Sequence, residues 1–165
     1  MNVQDVRTWF GYNRWANERL LAAAADLSVD ELDRDLGGSF GSIRATLRHI
    51  LWGERGWFRY WRERSFGPAL APADYPDLSS LAASWRELEE QKNVFASDLT
   101  EESLFAPLPV DDDAYVLSEL IQHALNHSTH HRGQITHMLR ELGRTPPGTG
   151  FRQFLAATRT ARGPS

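Results

Sequence analysis

Four long stretches of the chain repeat their apolar residues at spacings of three and four, and this periodicity limits the fold more than any other feature. In residues 2–25 the stripe is Val3, Val6, Trp9, Phe10, Asn13, Ala16, Leu20 and Ala24. In residues 42–64 it is Ile43, Leu47, Ile50, Leu51, Trp57, Phe58 and Trp61, and in 79–98 it is Leu81, Trp85, Leu88 and Phe95. The fourth stretch covers 116–142 and stops at Gly143, with Pro146 and Pro147 beyond it. Nothing alternates at a period of two for long enough to make a sheet. The pattern therefore predicts an all-α protein built as a four-helix bundle.

The connections refine that expectation. Ser28 and Glu31 have capping-box spacing and predict a short turn over 29–35, closed by Gly37 and Gly38. Ser39 or Ser42 then caps the second long helix. Residues 65–78 carry Gly67, Pro68, Pro72 and Pro76, which makes a long crossover and lets the helices on either side run parallel. Asp111, Asp112 and Asp113 read as a solvated turn with a helix cap, since a hard-cation loop has a ligand spacing that this run lacks. Residues 151–160 predict a last short helix. A single domain over 1–165 is expected, with a frayed tail over 155–165.

Composition removes several function classes. The chain has no cysteine, so disulfides, thiolate ligands and a cysteine nucleophile are excluded, and histidine and carboxylate remain as candidate ligands. No apolar run approaches the length of a membrane span and no secretory signal opens the chain, so a cytoplasmic location with no membrane partner is expected. Arg44, Arg48, Arg55, Arg59, Arg62 and Arg64 outnumber Glu54 and Glu63 locally, but the net charge is −4 and no nucleic-acid partner is expected. Glu87, Glu89, Glu90 and Lys92 read as solvated, and Glu54 as a surface charge or ion-pair partner.

The chemistry concentrates in the histidines. His127 and His131 are four residues apart on the fourth helix, about 6 Å along the axis, so both rings can reach one ion together with His49 from the second helix. His123 and His127 have the same spacing, and spacing does not choose between the pairs. His130 projects to the other side of His127 from His131, and His137 falls away from the site. Three neutral imidazoles leave a coordination position free for water or substrate, and zinc, nickel or ferrous iron would accept them. Gly53 leaves room for a substrate or for close helix packing, and Gly133 in mid-helix suggests close approach by a helix or ligand. Asn13, polar within its stripe, is expected to bond to neighbouring backbone, with support of a nearby polar site as the alternative.

Three segments carry a family resemblance: Tyr12-Asn13-Arg14-Trp15-Ala16-Asn17, Leu47-Arg48-His49-Ile50, and Asn126-His127 followed by His131-Arg132-Gly133-Gln134-Ile135. Together with Leu142-Gly143 and the prolines after it, they resemble the DinB (damage-inducible) superfamily over nearly the whole chain. The resemblance implies an up-down-down-up four-helix bundle, a homodimer, and a divalent metal on His49, His127 and His131. His123 and His130 then become candidates for supporting the site. Relatives of this kind include thiol transferases that use low-molecular-weight thiols. The implied activity is a metal-dependent transferase that activates a thiol, or water in a hydrolase, for attack on a small electrophile. The alternative is a non-enzymatic bundle with a structural metal.

Overall fold

Each of the four stripes forms one helix of the computed structural model, which describes residues 1–162. Helix α1 spans Val3–Ala25, α2 Val29–Asp33, α3 Ile43–Glu63 and α4 Leu78–Asp98. A short α5, Glu101–Leu104, precedes two strands, β1 (Pro107–Val110) and β2 (Asp113–Val116). They lead into α6, Leu117–Glu141, and the chain continues to α7, Phe151–Arg162. Side-chain oxygens of Asn2, Ser28, Ser42 and Asp77 accept backbone N–H groups one turn ahead and so start α1, α2, α3 and α4. Ser42, rather than Ser39, is the cap of α3.

Contacts near the helix ends fix the directions. The Val3 N–H donates to the Glu101 carboxylate at 2.9 Å and Arg7 Nε to the Ala96 carbonyl at 3.0 Å, so α1 begins where α4 ends. Arg44 Nη1 donates to the Pro76 carbonyl at 2.6 Å, and the rings of Phe58 and Phe95 meet at 5.5 Å. Helices α3 and α4 therefore run the same way, as the long crossover predicted. Tyr60 near the end of α3 donates to the Pro109 carbonyl just ahead of α6, while Gln134 late in α6 reaches Ser39 ahead of α3. Helices α3 and α6 are antiparallel, and the bundle is up-down-down-up. Its core is lined by residues such as Leu20, Ile50, Leu51, Leu81, Ile121 and Ile135, all fully buried. Each such side chain contributes about 1.5–3 kcal/mol relative to exposure.

Three local expectations are corrected. The strands β1 and β2 form an antiparallel hairpin, pairing Pro107 with Val116 and Val110 with Asp113. Four-residue strands are too short to print a readable alternation, and Pro107 and Pro109 hide β1, since proline is tolerated where its missing N–H faces outward. Asp111 and Asp112 form the two-residue turn, with Asp111 at φ 52, a left-handed conformation that aspartate accepts. The aspartate run is solvated as expected, but α6 is capped otherwise: Glu119 Oε2 accepts the Val116 N–H at 2.9 Å. The tail does not fray at 155. Helix α7 continues to Arg162 because Phe151 stacks on Trp9 at 4.3 Å and Phe154 is buried beside Tyr12 and Trp15. The last three residues of the expected tail lie outside the described residues.

Candidate metal centre

Helix α3 presents His49 to α6, and α6 presents His127 and His131 on successive turns of the facing stripe. One ligand atom from each of the three rings lies within 4.8 Å of the others. His49 Nε2 and His127 Nε2 are 2.9 Å apart. Two such nitrogens either share one proton or turn both lone pairs toward a cation. A tetrahedral ion with nitrogen ligands at about 2.0–2.1 Å would separate them by about 3.3 Å, a value within the observed range. The donor set therefore fits a divalent ion that takes imidazole ligands. The cluster joins His127 with His131; His123 is not in it.

Burial keeps two of the rings neutral. It lowers His49 to about 4, with the nearby His131 adding to the effect. It also lowers His127 to about 4, helped by the charges that His131, His49 and His123 would carry. Neutral rings keep their lone pairs for a metal at ordinary pH. The lone pair of His131 is also aimed. Gln134 Nε2 donates to Ser39 Oγ at 3.1 Å, which turns its carbonyl oxygen toward His131 Nδ1 at 2.9 Å. A carbonyl only accepts, so Nδ1 carries the proton and Nε2 is free to bind. Gly53 makes the space for His127: a Cβ there would sit 2.7 Å from its Cε1. Its role is close packing against a ring of the cluster rather than room for substrate.

Aromatic side chains wall the cluster. Phe40, in the loop before α3, stacks on His49 at 3.9 Å and meets His131 edge-on at 5.4 Å. Trp52 lies 5.6 Å from His49. The exposed His123 packs edge-on against Trp57 at 4.9 Å. His130, also exposed, lies 4.9 Å from His131 and shares the Gln134 amide. His137 is exposed and outside the cluster, as expected. Among the described residues no helix approaches Gly133 closely: a Cβ there would meet no protein atom within 4 Å.

Directly beneath the cluster is a buried polar knot that the sequence reading missed. Glu54, read as a surface charge or an ion-pair partner, is 5% exposed and is the second of these, paired with Lys92. Its Oε1 accepts from Asn13 Nδ2 at 2.8 Å, Asn17 Nδ2 at 2.7 Å and Ser128 Oγ at 3.0 Å. Its Oε2 accepts from Lys92 Nζ at 3.1 Å, and Lys92 also donates to Glu89 at 2.7 Å. Lys92 and Glu89, expected in solvent, are therefore buried, whereas Glu87 and Glu90 are exposed as predicted. Arg132 closes the knot by donating to Asn13 Oδ1 at 2.6 Å, Asn17 Oδ1 at 3.0 Å and Thr129 Oγ1 at 2.7 Å. Asn13 thus bonds to side chains, not to neighbouring backbone. Burial opposes the charge on Glu54, but Lys92 and the two asparagine amides outweigh it and hold the carboxyl down at about 2. The Glu89 carboxyl is raised, because burial there exceeds the pull of Lys92. Charge balance explains why the knot is tolerated: two carboxylates meet two cations, with most polar atoms bonded. The signal available in the sequence was adjacency, since Gly53-Glu54 and His127-Ser128 place knot residues next to cluster residues.

The chain is 29% identical over 167 residues to Protein DinB of Bacillus subtilis (strain 168), an alignment covering 93% of this chain and 95% of that one. It is 26% identical over 147 residues to the uncharacterized protein YizA of the same organism, covering 87% and 91%. Among solved structures it is similar to a DinB-like protein of B. subtilis, YjoA, with a TM-score of 0.66 and 23% identity over 88% of this chain and 96% of that one. It is also similar to B. subtilis YfiT, described as a probable metal-dependent hydrolase with an unusual four-helix bundle topology. There the TM-score is 0.70 and the identity 18%, over 88% and 91% of the two chains. At these identities the structural likenesses show the fold. The DinB family model matches residues 1–163, and the chain belongs to the DinB family.

Proposed function

We propose that this protein is a metal-dependent enzyme whose His49, His127 and His131 hold one divalent ion, and that it activates a low-molecular-weight thiol for attack on a small electrophile. The observation that carries the reading is the convergence of three imidazoles with no carboxylate in the cluster. Neutral ligands leave the ion its full charge, which supplies Lewis acidity to lower the pKa of a thiol or water at a remaining position. The rest of the site favours the thiol. Glu54, the nearest buried carboxylate in the sequence neighbourhood, is committed to Asn13, Asn17, Ser128 and Lys92 and is held well below the usual carboxylate range. It is therefore a poor general base. A thiol starts near pKa 8.5 and needs a shift of about two units to ionise at neutral pH, whereas water needs about nine. Gln134 and Gly53 position the rings, and Phe40 and Trp52 limit water around them.

Zinc, nickel and ferrous iron all suit the ligand set. We further propose a small-molecule substrate, no nucleic-acid partner, a cytoplasmic homodimer, and supporting places for His123 and His130 beside the cluster. Among the described residues no helix is long and apolar enough to cross a membrane. The test is metal content of the purified protein, followed by thiol alkylation by a chromogenic electrophile with and without chelator. Stoichiometric metal and a chelator-sensitive rate that needs thiol are expected. Hydrolysis of an activated ester without thiol would favour the hydrolase variant, for which the description of YfiT is the precedent. Loss of fold stability on chelation with no reaction of either kind would favour a structural metal.

A further inference from the structure

The arginine-rich face of α3 lines a defined cleft. Trp52, Arg55, Arg59, Arg62 and Phe66 border a cleft of about 350 Å³ between α3, α4 and the crossover. Trp52 also stands 5.6 Å from His49, so one indole forms a wall of both the cleft and the histidine cluster. Along α3, Arg55 and Arg62 lie six and thirteen residues beyond His49, about 9 and 20 Å along the axis.

The charges in the cleft are unevenly satisfied. Arg59 pairs with Glu63 at 2.7 Å. Arg55 donates to Tyr75 Oη at 2.8 Å and Ser84 Oγ at 2.9 Å, both neutral. Arg62 lies over the Phe58 ring at 5.5 Å. Among the described residues neither Arg55 nor Arg62 has a carboxylate partner, in a chain whose net charge is −4. Trp52 and Phe66, 37% and 39% exposed, stand in the same wall as these two uncompensated cations. Guanidinium forks beside aromatic faces are suited to a carboxylate or phosphate carried on a partly apolar molecule.

We propose that this cleft binds the anionic tail, carboxylate or phosphate, of the small molecule whose other end reaches His49, His127 and His131. The link to the thiol rests on the function proposed above; the anion site itself does not. A ligand spanning about 9–20 Å between its thiol and its anion would fit the distances along α3.

Isothermal titration with two matched pairs of probes tests this. Phosphopantetheine and pantetheine differ by a phosphate, and glutathione and its diethyl ester differ by carboxylates. The anionic member of at least one pair should bind about tenfold or more tightly, and the preference should shrink as salt rises. Whichever pair shows the preference identifies the anion. Arg62→Glu changes an exposed side chain and should abolish the preference without altering the fold; Arg55→Gln should reduce it. Equal affinity within both pairs, or a preference that survives Arg62→Glu, overturns the proposal. Tighter binding of a single-stranded oligonucleotide than of either anionic thiol would also overturn it. The titration is repeated on metal-free protein. An Arg62-dependent preference there, without metal uptake by the chain, keeps the anion site and removes the proposed function. Equal, metal-dependent binding of all four thiols does the reverse.

Discussion

Gly53→Ala separates metal binding from folding. An added Cβ would lie 2.7 Å from His127 Cε1 and 3.0 Å from its Nδ1, whereas ordinary contact begins at 3.4 Å. The ring must retreat by several tenths of an ångström. Backbone strain is absent, since Gly53 is not among the glycines with positive φ. In the metal-free protein the retreat is cheap, because a ring at the end of a side chain moves more readily than backbone, and alanine is favoured over glycine in a helix by about 1 kcal/mol. Metal binding is less forgiving, since ligand distances tolerate only about 0.2 Å. The expected result is unchanged or slightly higher stability without metal, together with a loss of about 10- to 100-fold in metal affinity, the range seen when support for a ligand is disturbed. Competition against a chromogenic chelator measures the affinity, and thermal melts with and without chelator measure the stability. Unchanged affinity in Gly53→Ala would refute the placement of His127 in the metal site.

Replacing His49, His127 or His131 by alanine should reduce metal uptake below stoichiometry in elemental analysis, while His123→Ala should retain a full equivalent. Glu54→Gln preserves shape but turns an amide toward Lys92, which donates 3.1 Å away, and should cost about 3–5 kcal/mol in urea unfolding; a cost under about 1 kcal/mol would show that the knot is not what holds α1, α3, α4 and α6 in place. The Glu54 carboxyl is held at about 2, so its contribution is fully present above its ordinary value of 4.5 and is lost as pH falls from there toward 2. The raised Glu89 carboxyl acts in the opposite sense, since protonation favours the folded state there, and offsets part of the loss. Unfolding midpoints should therefore drop steeply below pH 4.5 in the native protein and less steeply in Glu54→Gln.

Residues that bury an apolar stripe were readable one by one. Leu47, Ile50 and Leu51 announce a helix face whatever they pack against, and so do Leu20 and Leu81. The histidines were half-readable. A spacing of four places His127 and His131 on one helical face, but it places His123 and His127 there equally well. The hairpin at 107–116 escaped notice because strands of four residues with two prolines carry no usable period. Glu89 and Lys92 were misread as solvated, and Glu54 was left open between solvent and an ion pair, because a charged residue on a helix looks the same in sequence whether it meets water or a counter-charge.

The sequence by itself determined four amphipathic helices, their approximate ends, the parallel pair joined by the crossover, and the side chains able to bind a metal. Those properties are local: they depend on periodicity, caps and donor atoms within one segment. Tertiary structure alone decided that His49 Nε2 comes within 2.9 Å of His127 Nε2 across 78 residues of chain. It also decided that Asn13, Asn17, Glu54, Lys92 and Arg132 share one buried network. Burial makes the difference, because the chemistry of a charge or an imidazole is set by the groups that replace its water, and these come from other helices.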